Sequence, residues 1–235
     1  MSYHFSVIVP IYNEERTLRN VIEKVETLPE EVELIFVNDG SQDKTQEILN
    51  SYKAKGFSRV QVVTHERNQG KGAAVKSGLA VARGQFAGIQ DADLEYDVND
   101  LMHIFSLLEQ GKADVIFGSR FLTPNPALYW RYKMGNRVMT LVANLLGRGR
   151  LTDSYTCYKA MSLRYWKTLD LSANGFELEA EITMKCLMAK WKLMEVPIRY
   201  APRSFEGGKK IRSKDAWKGM GMMMRCRFSG WSPQF

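Results

Sequence analysis

Over its first 118 residues the chain alternates short apolar runs with amphipathic stretches, and few architectures tolerate that rhythm. Strand-like runs at 5–10, 32–37, 60–64, 86–90 and 113–118 are separated by helical patterns at 17–28, 45–52, 71–82 and 98–108. Strands that alternate with helices of this length predict an α/β fold with a mainly parallel sheet flanked by helices. In such sheets ligands bind beyond the carboxyl ends of the strands. The later half is less regular, with a helix expected at 134–146, a strand at 155–160, a helix at 177–189 and a strand at 192–200. We divide the chain into a main α/β domain at 1–206 and a basic amphipathic loop and C-terminal tail at 207–235.

Polar residues and turn signals gather where the strands end. The first runs into Pro10-Ile11-Tyr12-Asn13-Glu14, the second into Asn38-Asp39-Gly40-Ser41, the third into Asn68-Gln69-Gly70-Lys71-Gly72 and the fourth into Gln90-Asp91-Ala92-Asp93. Asp39-Gly40 and the glycines at 70 and 72 are turn chemistry, and Asn13 and Asp43 are placed to cap helices. Asp91, Asp93 and Glu95 stand at alternate positions past a buried strand, so in extended geometry they share one face. Carboxylates suit a hard divalent ion, and Mg²⁺ or Mn²⁺ commonly bridges a few of them to substrate phosphates.

Taken in order, Val9-Pro10-Ile11-Tyr12-Asn13-Glu14, Val37-Asn38-Asp39-Gly40-Ser41, Asn68-Gln69-Gly70-Lys71-Gly72 and Asp91-Ala92-Asp93 resemble the signature of the family-two inverting glycosyltransferases of GT-A fold. The resemblance implies a nucleotide-sugar donor site built from Pro10, Tyr12, Glu14, Asp39, Gln69, Lys71, Asp91 and Ala92. It implies a Mg²⁺ or Mn²⁺ site at Asp91, Asp93 and Glu95, with Asp93 acting in catalysis. Phe117-Gly118-Ser119-Arg120, Gly135-Asn136-Arg137, Leu151-Thr152-Asp153 and Phe176-Glu177-Leu178-Glu179-Ala180-Glu181 are similar to the dolichol-phosphate mannose synthase and polyprenyl-phosphate branch. In that branch arginines grip a lipid phosphate, which points to Arg120 and Arg137 here, joined by Arg203 and Lys209 in the basic loop that closes over both phosphates. The loop departs from the synthases' Gly-Glu-Ser-Lys form.

A UDP- or GDP-linked sugar is the expected donor and a polyprenyl phosphate the expected acceptor. Such a nucleophile is already anionic and needs no general base; a hydroxyl acceptor would need one, from Asp153, Glu179 or Glu181. The formal charge of +7 is concentrated at 207–228, where Lys209, Lys210, Arg212, Lys214, Lys218, Arg225 and Arg227 face only Asp215. Interleaved with Trp217, Phe228 and several methionines, these cations suit a membrane surface, a membrane-anchoring partner or a helix docked on the catalytic core. No helix-turn-helix, zinc or RNP pattern accompanies them, so nucleic acid is not an expected partner. Scattered Cys157, Cys186 and Cys226, a start without a basic or apolar leader and the shortness of the apolar stretch at 138–147 lead us to expect a cytoplasmic protein, peripheral on the cytosolic face of a membrane.

Overall fold

A computed structural model describes residues 3–123, 130–202 and 213–233. The alternating half folds as β1 (Phe5–Ile11), α1 (Leu18–Glu26), β2 (Val32–Asn38), α2 (Thr45–Lys53), β3 (Val60–Thr64), α3 (Lys71–Val81), β4 (Phe86–Ile89), α4 (Val98–Glu109) and β5 (Val115–Ser119). The rest supplies α5 (Trp130–Gly147), β6 (Lys159–Ser162), α6 (Leu163–Thr168), α7 (Leu178–Met188), β7 (Leu193–Pro197) and α8 (Ser213–Phe228).

The strands form one sheet in the order β3-β2-β1-β4-β6-β5-β7. Every neighbouring pair is parallel except those of β6, which runs antiparallel to both β4 and β5. All seven residues of β2 are buried, so helices cover both faces of the sheet. Val7, Ile8, Leu34, Ile35, Phe36 and Phe117 are among the side chains excluded from solvent in the main core.

One expectation shifts, and one element is new. The strand expected at 155–160 begins only at Lys159, because the backbone before it is used by other side chains. Arg120 donates to the Tyr155 carbonyl at 2.9 Å, and the Cys157 N–H donates to the Tyr96 hydroxyl at 3.3 Å. The short α6, capped by Ser162, lacked enough length to register as a period. The tail helix α8 sets Met223 and Cys226 against Met139 and Ala143 of α5 and Ala180 and Met184 of α7. Residues 203–212, which include Arg203 and Lys209, lie outside the described residues.

Glycine at 72 is required by a close approach: a Cβ there would stand 2.5 Å from the Ala173 carbonyl oxygen, part of a backbone loop that cannot swing aside. Gly221, inside α8, would direct a methyl into open space. Gly72→Ala should therefore lower unfolding free energy by roughly 1–3 kcal/mol through overpacking. Gly221→Ala should raise it by roughly 0.5–1 kcal/mol through helix propensity. Urea unfolding of the two variants checks the opposite signs.

Candidate active site

The chain leaves β1 toward β2 and β3, then returns to the other side of β1 at β4. The loops after β1 and β4 consequently part, and a crevice opens at the carboxyl ends of these strands. Pro10, Tyr12, Glu14, Asp39, Gln69, Lys71 and Asp91 through Asp93 all lie on that edge. The β1 loop turns on Asn13, whose φ of 52° is left-handed. Asn13 does not cap a helix: its side-chain oxygen accepts from Gln42 N–H at 2.8 Å and its own N–H donates to Ser41 Oγ at 2.9 Å. Glu14 and Glu15 N–H groups donate to Thr45 and Asp43, lacing the β1 and β2 loops together. The Thr17 hydroxyl stands 2.7 Å from the Glu14 carboxylate and 2.9 Å from the Ala92 carbonyl, so it ties the β1 loop to the β4 loop.

Asp39 faces inward. Its carboxylate accepts from the N–H groups of Gln69 at 2.9 Å and Gly70 at 2.7 Å and lies 2.7 Å from His65 Nδ1. His65 Nε2 in turn lies 2.9 Å from Ser77 Oγ. Asp39 thereby shapes the turn that presents Gln69 and Lys71. Gly40 must be glycine here, with φ 67° and Arg67 backbone 2.3 Å from where a Cβ would be.

The expected metal set of Asp91, Asp93 and Glu95 is not brought together, and among the described residues no group of three such ligands converges. The cause is local. Leu94 adopts a φ of 62°, which breaks the extended geometry that would align the three carboxylates. Asp91 pairs with Lys71 at 2.8 Å, Glu95 accepts from the Tyr200 hydroxyl at 2.6 Å, and Asp93 accepts from Glu95 N–H at 3.1 Å. Asp93 nevertheless offers hard oxygen at the crevice, as an ion shared with a diphosphate would require.

The second half places its carboxylates against buried cations. Asp153 is fully buried and takes Arg120 Nε at 2.7 Å and Nη2 at 2.9 Å, while the Asp153 and Thr152 N–H groups donate to Glu195. Burial works against the charge on Arg120, but Asp153 more than offsets it and holds the guanidinium above its ordinary range. Glu179 sits between Lys159 and Lys71, the latter 3.0 Å away. Burial pushes the Glu179 carboxyl up, Lys159 and Lys71 pull it down, and the balance lies below the ordinary value. Glu181 accepts from the N–H groups of Ser172 and Ala173 and from Lys185 at 2.8 Å. Arg137 is exposed on α5.

His65, Thr17, Lys159 and Tyr200 did not stand out in the sequence. A lysine inside an apolar run, as at 157–161, is the one signal that could have flagged Lys159, since a buried lysine requires an anion.

A sequence model described as glycosyl transferase family 2 matches residues 6–169. The low-salt glycan biosynthesis hexosyltransferase of Haloferax volcanii is 28% identical over 226 residues, covering 93% of this chain and 52% of that protein. The dolichol-phosphate mannosyltransferase of Saccharomyces cerevisiae is 25% identical over 227 residues, covering 91% of this chain and 83% of its own. The chain spans about half the length, or less, of several relatives it matches. Among solved structures, glucosyl-3-phosphoglycerate synthase from Mycobacterium tuberculosis, in complex with Mn²⁺, UDP and phosphoglyceric acid, aligns with a TM-score of 0.69 at 20% identity, covering 97% of this chain and 78% of that one. At that identity the likeness is one of fold.

Burial tends to raise the Glu181 carboxyl, but Lys185 and the backbone N–H groups outweigh it, and the group lies below its ordinary 4.5. A carboxyl lowered on folding contributes stability that is complete above the ordinary value and is lost as pH falls through the lowered one. Glu181→Gln should therefore be less stable than wild type by about 1–3 kcal/mol at pH 7. Urea titrations at a series of pH values should show that deficit shrinking below the ordinary carboxylate range; a deficit independent of pH would contradict the assignment.

Proposed function

The chain belongs to glycosyl transferase family 2, and on that premise we propose that it moves a hexose, with inversion, from a UDP- or GDP-linked sugar to a polyprenyl phosphate. The β1 loop with Pro10, Tyr12 and Glu14, and the turn that Asp39 organises around Gln69, frame the nucleoside. Lys71, Asp91, Ala92 and Asp93 border the diphosphate. Asp93 would hold a Mg²⁺ or Mn²⁺ jointly with that diphosphate, because these ions take one or two carboxylates and complete their shells with phosphate oxygens and water. Bound there, the ion supplies the charge that stabilises the departing diphosphate.

The observation that carries the choice of acceptor is the state of the three carboxylates that could activate a hydroxyl. Asp153 is paired with Arg120, Glu179 with Lys159 and Lys71, and Glu181 with Lys185. A buried carboxylate held by a cation is a poor proton acceptor, and a phosphate nucleophile requires none. The name of the yeast relative, a dolichol-phosphate mannosyltransferase, agrees with a lipid phosphate. In this reading Arg120 braces β5 against the 152–155 loop, and Arg137, with Arg203 and Lys209 of the basic loop, engages the acceptor phosphate.

A membrane surface is consistent with α5 and α8. Met134, Val138, Leu141 and Leu145 line one exposed stripe, and Trp217, Met224 and Phe228 line another, both at helical spacing. Arg137, Arg148, Arg150, Lys218, Arg225 and Arg227 are exposed on or beside these helices, and α8 offers a single acid, Asp215. Apolar stripes rimmed by cations suit an anionic bilayer surface. No described helix is long and apolar enough to cross a membrane.

Two measurements test these assignments. Incubated with Mn²⁺ or Mg²⁺, a panel of UDP- and GDP-sugars and a short polyprenyl phosphate, the protein should release nucleoside diphosphate only when lipid phosphate and metal are both present. Asp93→Asn should abolish that release while the fold, followed by circular dichroism, persists; release with a saccharide hydroxyl in place of the lipid would overturn the acceptor assignment. Separately, flotation with phosphatidylserine vesicles should be lost in a Trp217→Ser/Phe228→Ser variant, and unchanged flotation would remove α8 from the membrane contact.

A further inference from the structure

Four charges of alternating sign run from the crevice into the core: Asp91, Lys71, Glu179 and Lys159. Exposure falls along the series, with side chains 22%, 13%, 6% and 0% accessible, so Lys159 cannot itself touch a ligand. The inner end is fixed. Lys159 Nζ donates to the Thr156 carbonyl at 3.0 Å, is bonded to Glu179 Oε2 and lies 5.2 Å from the centre of the Phe117 ring. The outer end has a choice, since Lys71 stands 2.8 Å from Asp91 and 3.0 Å from Glu179. Glu179 Oε1 is buried and, among the described residues, accepts no well-aligned hydrogen bond, so its compensation is the ionic contact with Lys71.

We propose that Glu179 and Lys159 are positioning residues for donor binding, which together set how far the Lys71 ammonium reaches from the interior into the crevice. The proposal rests on the donor site described above. With Lys159 in place, Glu179 is neutralised from within and Lys71 is left to Asp91. Without Lys159, a buried and uncompensated carboxylate would draw Lys71 inward, because an unpaired charge is worse tolerated in the core than at the rim. Asp91 would then present a bare negative charge beside the incoming diphosphate. Removing Glu179 has the opposite sign: Lys71 is released toward the crevice.

These signs separate positioning from mere support, since a structural role would weaken binding in both variants. Two readouts are needed: acylation of Lys71 by a small amine-reactive reagent at one fixed pH, followed by mass spectrometry, and calorimetric titration with UDP and GDP in Mn²⁺. In Lys159→Met, Lys71 should become less reactive and nucleotide should bind about tenfold more weakly, a coupling of ordinary size for contacting charges. In Glu179→Gln, Lys71 should become more reactive and nucleotide should bind no more weakly than to wild type. The double variant Lys159→Met/Glu179→Gln should return both readouts to within about twofold of wild type. Glu179→Asp, which keeps the charge beside Lys159 but withdraws it from Lys71, should follow Glu179→Gln and decides the matter if Lys159→Met does not fold. Unchanged Lys71 labelling across the variants, or a double variant as weak as Lys159→Met, overturns the proposal. The predicted order of labelling in a protein that binds neither nucleotide would instead refute the donor site and leave the control of Lys71 standing.

Discussion

The reversal of winding direction around β1 is the constraint from which the rest of this molecule follows. Because β2 and β4 flank β1 on opposite sides, the loops that leave β1 and β4 cannot both cover the strand ends, and a crevice results. Its walls are not left to loop flexibility. The N–H groups of Asn13, Glu14 and Glu15 are taken up by side chains of the β2 loop, and Thr17 joins the β1 loop to Ala92. These polar loop groups are thus engaged before a ligand arrives, which gives the crevice wall rigidity.

Behind the crevice the interior is unusually ionic. Arg120 with Asp153, Lys159 with Glu179 and Lys185 with Glu181 all lie largely out of solvent. Such pairs add little net stability over an apolar filling, yet breaking one strands a charge and costs up to about 3–5 kcal/mol. Their value is therefore in specification. They lock β6, the 152–155 loop and the start of α7 in one arrangement, and they hold three carboxylates against cations. Under the proposed function, that second consequence favours an acceptor that arrives already charged.

The first half of the fold was legible because its periodicity and its turn residues agree. β3 falls at 60–64 as expected and α3 follows directly on Gly70, whereas Asp43, expected as a cap, accepts from the Thr45 N–H while Lys44 takes the cap position of α2. The crevice residues were legible as a set, through their positions at strand ends. Their orientations were not. Alternate spacing of Asp91, Asp93 and Glu95 implies a shared face only if the backbone is extended, and the left-handed Leu94 cancels that premise. Nothing in local sequence announces that Tyr200, 105 positions away, will take Glu95. For the same reason Arg120 and Asp153 were visible as polar residues near strand ends but not as each other's partners: ion pairing across 33 positions is decided by topology, which periodicity does not encode.

The antiparallel β6 shows why the later half resisted reading. A strand in the middle of a sheet is ordinarily a continuous apolar run, and Lys159 opens this one at a fully buried position. A local rule broken in the core marks a place where another requirement has won, and the anion that compensates it must come from elsewhere in the chain. Here that anion is Glu179, which also faces Lys71 at the crevice. The apparent defect in β6 and the charge balance of the crevice edge are therefore one feature, since the anion that compensates the residue spoiling the strand pattern also pairs with Lys71.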